Sequence, residues 1–171
     1  MKFFTVEWAT GQLSDDEFER RPDSYQSHLD QIVDRLTPAI GTLATGIDIH
    51  DGLINEISAD KIRGELVIDL VCGDHEAGYS DLRIIYRGVD WSVTDLGVLE
   101  NLANNVKAEA LRDEVHLGPC SSFEHHILFW PYSEVLIRFS DLAISSTLRQ
   151  NPADRSVKEV ANRFSVKTRD P

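Results

Sequence analysis

Two short stretches of the chain put a thiol near an imidazole. Cys72-Gly73-Asp74-His75 has the C-x-x-H spacing of a chelating loop, and Cys120 lies a few residues before His125 and His126. Thiolate and imidazole together suit tetrahedral zinc. Cys72, His75, Cys120 and His125 are therefore one candidate ligand set, with His126 able to stand in for His125. Cys72 also continues the apolar alternation of Leu66, Ile68 and Leu70, where a small buried thiol is common. A wider set, His50, Asp51, Asp74, His75, His125 and His126, defines a candidate acid–base cleft, because histidine beside carboxylates exchanges protons near neutral pH. No spacing in the chain pins a nucleophile beside a base.

Other motifs are incomplete. Gly41-Thr42-Leu43-Ala44-Thr45-Gly46 has the glycine spacing of a phosphate loop, but Ile47-Asp48 stands where Lys-Ser/Thr is needed. His50-Asp51 resembles the His-Asp dipeptide of metal-dependent phosphohydrolases, which carry it on a helix. Here Gly52 follows and a strand pattern begins, so Asp51 reads as the cap of a strand start. Phe129, Trp130 and Tyr132, around Pro131, are candidate interface anchors, since Trp and Tyr are favoured in binding hot spots. Aromatics also fill cores, which is the competing reading.

The elements that must position these residues follow from periodicity. Residues 47 to 86 alternate apolar and polar side chains between Gly- and Asp-rich breaks, the pattern of a three-strand antiparallel meander. In a meander the start of the first strand and the end of the second lie at one end of the sheet, which would bring His50-Asp51 toward Asp74-His75. Before it, Ser14 to Glu17 fits a capping box. Pro22 is expected to stop that helix, and Tyr25, Leu29, Ile32, Val33 and Leu36 form the stripe of a second helix capped by Asp23. Phe3 to Trp8 reads as an edge strand or an aromatic plug. After the meander, a helix over about 96 to 105 precedes strands over about 108–117, 125–130 and 134–144. The last of these slips phase near Ser140-Asp141, where a β-bulge is expected. Asn151-Pro152 opens a tail whose stripe, Val157, Val160, Ala161 and Phe164, predicts a helix folded on the body or a mobile end. The fold class expected is α+β. It is a single domain over 1–149, with helices over 1–46 packed on one face of a mainly antiparallel sheet of about six strands over 47–149, and a tail over 150–171.

Composition narrows the function. The 171 residues carry a formal charge of −12, with 42% apolar residues. So acidic a chain is unsuited to the phosphate backbone of nucleic acid, which needs clustered Lys and Arg, or to an anionic membrane surface. It suits a basic protein partner, toward which its field would steer association. The N-terminus lacks the apolar core of a signal peptide, and two cysteines give no disulfide framework, so a cytoplasmic location is expected.

The opening Met1-Lys2-Phe3-Phe4-Thr5-Val6-Glu7-Trp8 resembles the M-K-[FY]-F-T-x-E-W start of a family of uncharacterised bacterial proteins. His50-Asp51-Gly52 followed by Leu66 to Cys72 is similar to strand openings in small bacterial α+β domains, some of which serve as immunity proteins in toxin systems. No catalytic residue is established for that family, so none is carried over; separately, no cofactor is expected, with zinc the alternative. The function expected is thus a non-enzymatic acidic binding module, immunity-like, that occludes a basic partner. A zinc-binding domain or metal-dependent hydrolase is the second expectation. An oligomerising structural protein, a homodimer through its sheet edge, is the third.

Overall fold

Alternation along the middle of the chain builds the sheet. In the computed structural model, which describes residues 1–151, 153–160 and 163–168, β1 (Gly52–Asp60), β2 (Glu65–Asp74) and β3 (Gly78–Arg87) form the expected antiparallel meander. Leu66, Ile68 and Leu70 are fully buried, and Cys72 nearly so. The turns are held by aspartates. Asp60 Oδ1 accepts from the Ile62 and Arg63 N–H groups, and Asp74 Oδ1 from those of Glu76 and Ala77. Gly73 is obligatory, with φ +122° and a position where a Cβ would stand 2.2 Å from the Gly78 carbonyl oxygen.

The sheet continues through β4 (Glu109–Leu117), β5 (Phe123–Trp130), β6 (Ser133–Phe139) and β7 (Asp141–Leu148), in the order β6-β5-β4-β1-β2-β3-β7. Among the described residues there are eight strands rather than six. One extra arises at the phase slip. Ser140 alone separates β6, which pairs with β5, from β7, which pairs with β3. The slip is thus the point where a continuous run changes partner, not a bulge within one ladder. Because β6 and β7 lie at opposite ends of the strand order, the sheet must curl until both ends meet at Ser140. There the Ser140 N–H donates to the Arg87 carbonyl at 2.9 Å. The curl lets Tyr86 of β3 reach His125 of β5 and Phe139 of β6 across the interior.

The N-terminal helices differ from expectation at Pro22. Ser14 and Glu17 form the capping box, but α2 runs unbroken from Asp15 to Ile32 with Pro22 inside it. Proline at that position removes the N–H that would bond the Phe18 carbonyl four residues back. The Trp8 indole N–H donates to that carbonyl instead, at 3.4 Å. Trp8 belongs to α1 (Val6–Ala9), and its ring stacks on Phe18 with centroids 5.0 Å apart. Of the expected stripe, Leu29 and Ile32 are buried while Val33 is exposed. Pro38 starts another helix, α3 (Pro38–Gly46), capped by Thr37. The glycines at 41 and 46 therefore sit in and at the end of a helix, not in a phosphate loop. α3 contributes Ile40 and Leu43 to the core, and α4 (Leu96–Ala103) adds Leu99, Leu102 and Ala103.

The described residues of the tail fold back on the body and include no α-helix. Arg149 pairs with Asp81 at 2.6 Å, and Arg155 donates to the Asp51 carbonyl at 2.7 Å. Phe164–Lys167 forms β8, parallel to Ile57–Asp60 of β1. Phe164 thus lies in a strand, not on a helical stripe. Its β1 neighbours offer unpaired backbone groups there, because β4 pairs with β1 only at Gly52 and Leu53. Pro152 and Ala161 of the expected helix lie outside the described residues.

Candidate functional site

Strands β4 and β5 carry most of the buried ionisable chemistry, divided between two faces by strand alternation. On the inner face Asp113, Val115 and His125 point into the curl. On the outer face Glu114 is paired directly with His126, and His116 with Glu124. His125 and His126 are neighbours in sequence and therefore face opposite ways.

His125 is fully buried among apolar side chains, where an unpaired polar group would be costly. Both ring nitrogens are engaged, Nδ1 with the Tyr86 hydroxyl at 2.7 Å and Nε2 with Asp113 Oδ2 at 3.0 Å. Burial, and then the Asp113 charge, raise the Tyr86 phenol well above its ordinary value. Asp113 lines a pocket of about 360 Å3 together with Phe4, Tyr25, Leu29 and Asp48. The chain Tyr86–His125–Asp113 thus runs from the core to an opening.

The outer face is covered by the first residues of the chain. The Glu114 carboxylate accepts from the backbone N–H groups of Lys2, Phe3 and Phe4 at 2.8, 2.7 and 2.6 Å. It also bonds His116 Nε2 at 2.9 Å. Burial pushes the Glu114 carboxyl up, but the His116 bond and the three backbone donors outweigh it and hold it at about 2. Phe3 and Phe4 pack on Tyr25, and Phe3 also on His28 and His116. The opening motif is therefore an aromatic plug rather than an edge strand. Beneath it the His28 and His116 rings lie 4.7 Å apart, and His116 and His126 5.0 Å apart. Burial, then the charge of His116, lowers the affinity of His28 for a proton. Burial likewise lowers that of His126, against the raising effect of its bond to Glu124.

The residues singled out from sequence are dispersed. His50 Nδ1 and Asp51 Oδ2 lie 3.3 Å apart, both side chains exposed, in the turn before β1, with Asp51 at φ 59°. Asp74 caps the β2–β3 turn, its carboxyl lowered by the Ala77 and Glu76 N–H bonds, and His75 lies edge-on to Tyr79. Both turns lie at the same end of the sheet, as the meander requires. No hydrogen bond or ion pair among the described residues joins them to His125 or His126. Cys72, His75, Cys120 and His125 are not brought together either, and no cluster of three or more His, Cys, Asp or Glu side chains suited to a metal ion occurs among the described residues. Cys72 is buried, and burial, then the charges of Asp48 and Asp113, push its thiol to about 12. At neutral pH that thiol keeps its proton, whereas metal ligation uses the thiolate. Cys120 is exposed in a short turn. Of the aromatic anchors, Phe129 is a core residue with no exposure, whereas Trp130 is 38% exposed and rests edge-on against Tyr132.

Sequence reasoning missed Glu114, His116, Tyr86, Asp113 and His28. The chain matches no protein-family model, no curated protein and no solved structure. The fold is thus defined by its own geometry: an α+β protein with a curled, mainly antiparallel sheet, in which no helix among the described residues is long and apolar enough to cross a membrane.

Proposed function

We propose that the protein is a non-enzymatic acidic binding module, immunity-like, that occludes a basic protein partner through helix α2. The observation that carries this reading is the exposed charge of α2 and the short turn after it. Residues 15 to 35 hold seven acidic side chains against three basic ones. Asp15, Asp16, Glu17, Glu19, Asp23, Asp30 and Asp34 all face water. Phe18, 43% exposed, and Val33, 48% exposed, supply apolar contact within that field. A negative face with a few apolar anchors favours rapid association with a positive surface.

The test is capture of a partner from the native host on immobilised protein at low salt, with an Asp16→Lys/Glu19→Lys/Asp23→Lys variant in parallel. A basic partner retained one-to-one by the native protein, released by raised salt and not retained by the variant, supports the reading. A partner held equally at high salt, one held equally by the variant, or none at all, refutes it.

One observation favours a second reading, a small-molecule or metal-dependent site. The Tyr86–His125–Asp113 chain ends at the pocket that Asp48 also lines, an arrangement suited to moving a proton. Metal analysis of the purified protein separates the readings: below about one tenth of an equivalent of zinc, the metal version fails.

A further inference from the structure

Helix α2 is held to the sheet beside a close pair of imidazoles, His28 and His116. His28 leaves α2 and His116 leaves β4, their rings 4.7 Å apart. His28 Nε2 is buried with no hydrogen-bond partner. A second proton on that ring would place a charge beside the His116 ring, in a side chain whose Nε2 is buried without a partner. We propose that His28, set against His116, is a proton-sensitive latch between α2 and β4, closed while His28 is uncharged and released when it is charged.

The surroundings fix the direction of the effect. From the N-terminal segment, the Lys2 ammonium lies over the Phe3 ring, and the Met1 ammonium is paired with Glu134 of β6. From α2 itself, Arg21 donates to the Lys2 carbonyl and Tyr25 accepts from the Val115 N–H. From β4 and β5, Glu114 is occupied by three backbone donors and His116, while Glu124 is shared between His126 and Arg138, which also reaches Asp90. Burial, then His116, oppose a charge on His28 and prevail over the backbone bond to Val115 and the Glu114 carboxylate, which favour it. In water, after α2 lifts, His28 takes a proton at its ordinary value near 6.5, whereas burial and His116 lower it in place. The attached state therefore loses ground as pH falls below about 6.5, and the loss ends once the lowered in-place value is passed. Glu114, held at about 2, does not titrate in that window. If α2 is the docking face, the latch would tie partner binding to pH. That consequence rests on the proposed function, but the latch is tested without a partner.

The measurement is amide hydrogen exchange of the full chain at pH 7.5, 6.5 and 5.5, corrected for intrinsic exchange. Amides of α2 are followed against those of Leu66 to Leu70 in β2. The latch predicts that the opening equilibrium of α2 rises by up to about tenfold per pH unit below 6.5, the limit for one proton, while β2 is unaffected. His28→Gln removes the rise. Should that variant be poorly folded, His28→Phe keeps the ring cluster and makes the same prediction. Exchange in α2 that is flat with pH, that rises equally in both variants, or that rises in step with β2 overturns the proposal.

Discussion

Replacing Glu114 by alanine removes one acceptor that serves four donors. Three are backbone N–H groups of the opening segment, and the fourth is His116. The side chain is fully buried, so no water takes its place unless the segment detaches. If it stays, two buried N–H groups, those of Phe3 and Phe4, lose their partner at about 1–3 kcal/mol each. If it leaves, burial of the Phe3 and Phe4 rings is lost instead, at about 1.5–3 kcal/mol each. The first route gives a loss of about 2–6 kcal/mol and the second about 3–6 kcal/mol. The carboxyl provides an independent figure. Its ordinary value is 4.5 and the fold holds it at about 2, a gap equivalent to about 3 kcal/mol at 1.36 kcal/mol per pH unit. The sign follows from the folded value being the lower one. The contribution is complete above about 4.5 and is lost as pH falls toward 2. Urea unfolding at pH 7 and at pH 3 measures both quantities. Glu114→Ala should lose about 3 kcal/mol or more at pH 7 and be distinctly less acid-sensitive than the native protein between pH 4.5 and 2. Glu114→Gln keeps the shape and one acceptor oxygen but loses the charge and aims an NH2 at donors, so it should rescue less than half of the loss. A Glu114→Ala protein within about 1 kcal/mol of the native one, or with an unchanged acid slope, would refute the assignment of Glu114 as the anchor of the opening segment.

Other substitutions probe the interior and the turns. Tyr86→Phe leaves His125 Nδ1 without a partner in the core and should cost about 1–3 kcal/mol in chemical denaturation; a neutral result would mean that the bond is not formed in solution. Gly73→Ala forces a Cβ to 2.2 Å from the Gly78 carbonyl oxygen, whereas Gly11→Ala meets open space at φ +67°. The first should cost well over 2 kcal/mol and the second about 1 kcal/mol, and equal melting temperatures for the two would contradict this ranking. A thiol reagent at neutral pH should modify Cys120 readily and Cys72 only on unfolding, because Cys120 is exposed while burial keeps Cys72 protonated. Rapid double labelling of the folded protein would contradict the buried placement of Cys72.

The meander was legible because its alternation is unbroken and its turns carry Asp and Gly where backbone N–H groups need caps. The capping box at Ser14 was legible for the same reason, as a local pattern with a local cause. Pro22 misled because proline was weighed without tertiary context. The bond it deletes is replaced by Trp8 from another helix, which no local rule could supply. The slip at Ser140 was visible as a change of phase. Its meaning, a change of partner that draws the two ends of the sheet together, depends on pairing with Arg87 far away in sequence.

The candidate site shows a sharper lesson about strands. Grouping His125 with His126 treats sequence neighbours as spatial neighbours, which a helix or a loop allows and a strand forbids, since successive side chains face opposite sides. The informative spacing was i, i+2. Glu114-Val115-His116 and Glu124-His125-His126 both read Glu-x-His. Each places an acid and an imidazole on one face of its strand. Antiparallel pairing then sets each acid opposite the other strand's imidazole, Glu114 against His126 and His116 against Glu124. Glu114, bonded to the Lys2, Phe3 and Phe4 N–H groups and to His116, keeps its charge but leaves His28 Nε2 without a hydrogen bond. That unpartnered nitrogen, not the total of −12, is what the proposed latch rests on.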